Sequence, residues 1–211
     1  MSDTGLFTDA QGCARCAWCS ATPLYQRYHD EEWGWPVADD RRLFEKLCLE
    51  GFQAGLSWLT ILNKRAAFRA AMANFEAETL AQFGAAEVAQ LLANADIVRH
   101  RGKIEAAIGN AQRLRQLRAE WGSLARYVWR FADLAQQGRP AHMTAAVVRG
   151  LTQSAASVAL AKDLKKRGFR FVGPTTMYAF MQSMGLVNDH VQGCASRARV
   201  QAAQAAFVPP L

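Results

Sequence analysis

The chain has 211 residues, 51% of them hydrophobic and 20% charged, which suits one well-buried globular domain of at most two lobes. A net charge of +7 and a pI of about 9.5 favour a polyanionic partner, nucleic acid over membrane, because no basic amphipathic segment stands out. No apolar run approaches the roughly 20 residues that span a bilayer, and the opening MSDTGLFTDAQG lacks a secretory layout, so a cytoplasmic location is expected.

In chain order, residues 1–12 read as a flexible tail. Cys13, Cys16 and Cys19 follow, then His29 among Tyr25, Tyr28, Trp33 and Trp35. Five cysteines, an odd number, argue against a disulfide framework and for reduced thiols, some as metal ligands.

Residues 39–55, DDRRLFEKLCLEGFQAG, read as a helix. Leu43, Leu47, Glu50 and Ala54 then share one stripe at i, i+4, i+7 and i+11, so Glu50 points where apolar side chains point. No basic residue shares that stripe, yet burying an unpaired carboxylate costs roughly several kcal/mol. The neighbourhood is rich in aromatics, including Trp58, and a carboxylate among ring faces suits a flat, cationic ligand that donates hydrogen bonds. Pattern alone leaves a second reading open, in which Glu50 bends outward or caps a backbone N–H.

Helical spacing recurs over residues 43–61, 88–95, 104–117, 124–131 and 158–164, and strand-like alternation is nearly absent, so the fold class is all-α. Breaks are expected at Pro36, Gly84, Gly102, Gly122, residues 138–140 and Gly150.

Between Lys165-Lys166-Arg167 and Pro174-Thr175-Thr176 lies GFRFVG, residues 168–173. Gly168 and Gly173 permit a tight hairpin, with Phe169, Phe171 and Val172 as anchors and proline opening the next helix. Such a turn offers free backbone N–H groups that hold phosphate without reading bases. An ordinary glycine-stopped helix followed by a turn is the simpler alternative. Lys165, Lys166, Arg167 and Arg170 could reach phosphates or simply solvate a helix end.

His190 and Cys194 stand at i, i+4, able to face one ion, with Cys13, Cys16, Cys19 and His29 as candidate partners. A Cys2His2 zinc centre would be closed and structural, pinning the two ends of the chain together. Buried cysteines without a metal are the competing reading. Residues 196–211 read as a loosely held tail.

Several stretches lie in a familiar order: RCAW (15–18), PLYQRYHDEEWG (23–34), LFEKLCLEGFQAGLSWLTIL (43–62), IVRHRGKIEAAIGNA (97–111), LKKRGFRFVGPTTMYAFMQ (164–182) and GLVNDHVQGC (185–194). Together they resemble the type I DNA-3-methyladenine glycosylases, the Tag family of the helix-hairpin-helix glycosylases, over most of residues 16–194. The resemblance implies a single glycosylase domain over residues 13–195, with the helix-hairpin-helix at about 158–185 and a zinc-pinned subdomain joining the N- and C-terminal segments. It also implies a monofunctional hydrolase that cleaves the N-glycosidic bond of 3-methyladenine in double-stranded alkylated DNA, leaving an abasic site; no long exposed heptad suggests self-association, so a monomer is expected.

Carried over residue by residue, the resemblance makes Cys16, His29, His190 and Cys194 ligands of a structural Zn2+. It makes Glu50 the carboxylate that recognises the base, Trp58 the stacking ring, and Trp18, Tyr25 and Tyr28 further pocket aromatics. Gly168, Gly173 and Thr175 would hold the DNA backbone. Cys13 and Cys19 carry no family role. Asp189 lies where related enzymes place a catalytic Asp, but it precedes a proposed metal ligand and reads as structural, orienting His190 or its surroundings. Thr175 stands where bifunctional relatives carry lysine, so strand cleavage is not expected. Two other functions compete: a glycosylase for another alkylated purine such as 3-methylguanine, and a non-catalytic zinc-stabilised DNA-binding module. Glu50 argues against both, since it would repel the guanine carbonyl and a mere binding module has no use for it.

Overall fold

Side chains able to hold the first free N–H groups decide where most helices start. In the computed structural model, which describes residues 4–210, Thr22 caps α1 (Pro23–Glu31), Asp39 caps α2 (Asp40–Gln53) and Ser57 caps α3 (Trp58–Ala71). The apolar run over residues 43–61 is therefore two helices and not one, broken where Gly55 takes φ +78° and Ser57 caps afresh. Further on come α4 (Ala77–Leu80), α5 (Ala85–Ala93) and α6 (Arg101–Trp121), with His100 capping the last. Gly102, expected as a break, lies inside the first turn of α6.

The run over residues 124–131 is likewise divided, into α7 (Leu124–Trp129) and α8 (Ala132–Gln136). Then follow α9 (Ala145–Gly150), α10 (Ala155–Lys166), α11 (Pro174–Ser183) and α12 (Ala195–Ala206). The chain is mostly helical. Its largest apolar core joins Leu43, Phe44 and Leu47 of α2 to Ile104 and Leu114 of α6, Leu160 of α10 and Phe180 of α11. No helix among the described residues is long and apolar enough to cross a membrane.

Among the described residues, neither expected tail is loose. Strand β1 (Leu6–Thr8) pairs antiparallel with β2 (Ala14–Cys16), in the register Leu6↔Cys16, and Leu6 packs on buried Cys16, Val191 and Cys194. Three-residue strands are too short to show alternation, which is why the sequence reads them as tail; residues 1–3 lie outside the described residues. At the other end α12 buries Ser196 and Val200, Gln204 donates to the carbonyls of Gly34 and Gly185, and Phe207 lies 4.4 Å from the Trp129 ring. An alanine-rich segment is held here by partners supplied from elsewhere in the chain.

Candidate active site and metal centre

Helix α2 carries Glu50 inward, 4% exposed, to the wall of a cavity of about 240 Å³. Every aromatic assigned to the pocket lines it: Trp18, Tyr25, Tyr28 and Trp58, with Trp33 as a fifth ring. Trp18 lies 4.9 Å from Tyr25 and 5.1 Å from Trp33, while Tyr28 lies 5.4 Å from Trp58, so the rings support one another as walls. The indole N–H of Trp58 is buried without a protein acceptor.

Burial pushes the Glu50 carboxyl up to about 7, against the opposing pull of Lys46 and a hydrogen bond from Ser183. Lys46 is itself buried, and burial pushes its amine down to about 8 while Glu50 resists the shift. The stripe reading missed this lysine because it lies beside the stripe, at i−4 from Glu50; that spacing was the available signal. Sequence reasoning also missed Gln53, Val148, Ala179 and Gln182, which complete the wall from α2, α9 and α11.

Asp189, 1% exposed, accepts from Arg139, from the Tyr178 hydroxyl at 2.7 Å and from Gln182 Nε2 at 2.7 Å. It does not orient His190. The Trp33 carbonyl does so, at 3.1 Å from His190 Nε2. Asp189 acts on the pocket indirectly, by fixing the Gln182 amide in its wall.

Beside the cavity, Cys16, His29, His190 and Cys194 come together from opposite ends of the chain, all buried, with donor atoms within 4.8 Å of one another. His29 Nε2 and His190 Nδ1 are 3.1 Å apart, and Cys194 Sγ lies 3.4 and 3.5 Å from them. Asp30 at His29 Nδ1, 2.7 Å away, and the Trp33 carbonyl at His190 Nε2 take the two ring N–H groups outward. Two imidazole lone pairs are thereby turned on each other, an arrangement that a shared cation relieves, so this cluster can hold a metal ion. Of the other early cysteines, Cys19 is turned to donate to the Cys16 carbonyl at 3.1 Å, and neither it nor Cys13 joins the cluster.

Helices α10 and α11 are joined by a tight turn over residues 167–173. Gly168 has φ +87° and Phe171 has φ +56°, while Phe169 and Val172 are buried as expected. Gly51 brings the turn against α2, since a Cβ there would stand 3.2 Å from Phe171 Cβ. At the head of α11, Gly173 supplies no side-chain cap, and Thr175 is exposed. Lys165, Lys166 and Arg170 are exposed nearby. Arg167 is not available in the same way, being bound to Glu120 at 2.5 Å and Asp163 at 2.9 Å.

These features define a mostly helical protein with a ring-walled, acid-bearing pocket and a buried cysteine–histidine cluster beside it. The family model for methyladenine glycosylase matches residues 18–198, and the chain belongs to that family. It is 48% identical over 180 residues to DNA-3-methyladenine glycosylase 1 of Escherichia coli (strain K12), covering 85% of this chain and 95% of that protein. A crystal structure of 3-methyladenine DNA glycosylase I superposes with a TM-score of 0.78 at 50% identity, covering 86% of this chain and 98% of that one. Another, a tyrosine-to-phenylalanine variant of 3-methyladenine DNA glycosylase I in complex with 3-methyladenine, gives 0.79 at 36% identity, covering 87% and 97%.

Proposed function

We propose that the protein is a monofunctional DNA glycosylase that hydrolyses the N-glycosidic bond of 3-methyladenine in double-stranded alkylated DNA, leaving an abasic site. The observation that carries this reading is Glu50, a buried carboxylate in the wall of a five-ring cavity. At about 240 Å³ the cavity is smaller than the roughly 300–1,000 Å³ of sites for drug-sized ligands, and it suits a single heterocycle. A base must leave the stack to reach such a site.

Methylation at N3 gives the glycosylated base a positive charge. Ionised Glu50 can accept from its exocyclic amine, and each ring face contributes about 0.5–2 kcal/mol to holding a desolvated cation. When the bond from the sugar to N9 breaks, both electrons leave with the base and cancel its charge, and water adds to the sugar carbon, releasing one proton to solvent. A leaving group already activated in this way needs no strong acid, so Glu50, Trp58, Trp18, Tyr25 and Tyr28 serve chiefly to select and orient.

The turn between α10 and α11 is read as the helix-hairpin-helix that holds the DNA backbone. The uncapped N–H groups at the start of α11, with Gly168, Gly173 and Thr175, would face phosphate, assisted by Lys165, Lys166 and Arg170. All these groups belong to one chain, consistent with action as a monomer. The metal is read as structural Zn2+ held by Cys16, His29, His190 and Cys194. Tetrahedral zinc bonds of about 2.0–2.3 Å place donor atoms roughly 3.3–3.8 Å apart. Four of the six donor–donor distances here run from 3.1 to 3.8 Å, and all six lie within 4.8 Å, which supports that reading. Four protein ligands fill the shell, so the ion would link chain ends and take no part in the reaction.

The test is release of free 3-methyladenine from methylated duplex DNA. Release of 3-methyladenine well ahead of 3-methylguanine is expected. Duplex binding with no base released would leave only a binding module.

A further inference from the structure

Lys46 lies one helical turn before Glu50 on α2 and is 5% exposed. Its Nζ donates to the Tyr28 hydroxyl at 2.8 Å and stands 3.9 Å from the Trp58 ring centroid and 4.6 Å from that of Tyr28. Two rings of the pocket wall thus converge on one buried ammonium, placed behind the cavity and not in it.

An ammonium only donates, so the Tyr28 oxygen is the acceptor in that bond and the hydroxyl hydrogen must go elsewhere. Among the described residues that hydrogen has no protein acceptor, while Tyr28 borders the cavity. Glu50 has the complementary need. Around it stand Lys46 from its own helix, Tyr25 and Tyr28 from α1, and Ser183 from α11, and of these only Lys46 brings a positive charge. Lys46 in turn feels Arg65 from α3 and the carboxylates of Glu32 and Glu45.

The geometry points to Lys46 as a positioning residue that commits the Tyr28 hydroxyl to donating into the cavity and supplies the counter-charge of Glu50. The pocket then offers one donor and one acceptor side by side. Adenine's amine and adjacent ring nitrogen match that pair, whereas guanine's carbonyl and ring N–H present it reversed. The inference rests on the cavity being the alkylated-adenine site.

Lys46→Met, close in length but uncharged, tests it. Free 3-methyladenine is titrated across neutral pH by quenching of the pocket tryptophans, alongside excision assays on methylated duplex. Without its counter-charge Glu50 stays protonated longer, so the acidic limb of binding moves up by about one pH unit or more and affinity near neutrality falls several-fold. A folded Lys46→Met protein with an unmoved limb overturns the inference while leaving the glycosylase reading intact; wild-type protein that releases no base overturns both. Should Lys46→Met not fold, the side-chain nitrogen resonance of Lys46 is followed in the wild type. Adding 3-methyladenine is expected to shift it, and an unmoved signal likewise refutes the inference.

Discussion

Asn110 holds both backbone polar groups of Arg170, sixty positions along the chain: its Nδ2 donates to the Arg170 carbonyl at 3.0 Å, and its Oδ1 accepts from the Arg170 N–H at 2.8 Å. The next residue, Phe171, has φ +56°, a conformation costing an L-residue about 1–3 kcal/mol. The clamp offsets that strain. Helix α6 also supplies Lys103, which donates to the Phe52 carbonyl at 2.8 Å and the Ala54 carbonyl at 2.5 Å, where α2 ends beside the pocket. One long helix therefore fixes both the turn and the loop leading to Trp58.

Asn110→Ala removes two largely buried hydrogen bonds and leaves their backbone partners unpaired, so a loss of about 2–3 kcal/mol is expected in denaturant unfolding. Affinity for duplex DNA should fall while affinity for free 3-methyladenine is kept. The reverse pattern would separate the turn from DNA binding.

Glu50→Gln should abolish most base binding with the fold retained. The pH dependence has a definite sign. Because the folded carboxyl is raised from 4.5 to about 7, the native state holds the proton more tightly than the unfolded chain. Its stabilising contribution is full below 4.5 and is lost as pH rises through about 7. Glutamine has no such loss, so the stability of Glu50→Gln relative to wild type should climb with pH across that window. Melting curves in a pH series check this, and a falling difference would contradict burial as the main cause.

Metal analysis of the purified protein should find one zinc per chain. Prolonged chelation, or Cys16→Ser, should lower the melting temperature sharply, since structural zinc contributes on the order of 10 kcal/mol to folding in small zinc domains. Trypsin should then cut first in the N-terminal segment, which loses its tie to Cys194 and His190. Native mass spectrometry showing only apo-protein of unchanged stability would dispose of the zinc reading.

Asp189→Asn leaves the Arg139 guanidinium facing a neutral amide in a nearly buried site, at a cost of about 3–5 kcal/mol. The unfolding midpoint should drop, while the single-turnover excision rate per folded molecule holds. Wild-type stability with a collapsed rate would make Asp189 a participant in the chemistry.

Much of this protein was legible in the chain itself. Helical spacing and capping residues such as Thr22, Asp39 and Ser57 act within a turn or two, so the helices and the inward stripe of Glu50 follow from neighbours in sequence. The long motifs pointed to the family and to four of the five aromatics found in the wall, Trp33 being the exception. Only the tertiary structure turned Cys19 onto the Cys16 carbonyl, set Lys46 behind Tyr28 and Trp58, tied Arg167 to Glu120, and docked β1 and α12. Those outcomes depend on distances between residues far apart in sequence, such as the 174 positions that separate Cys16 from His190, and local periodicity carries no information on that scale.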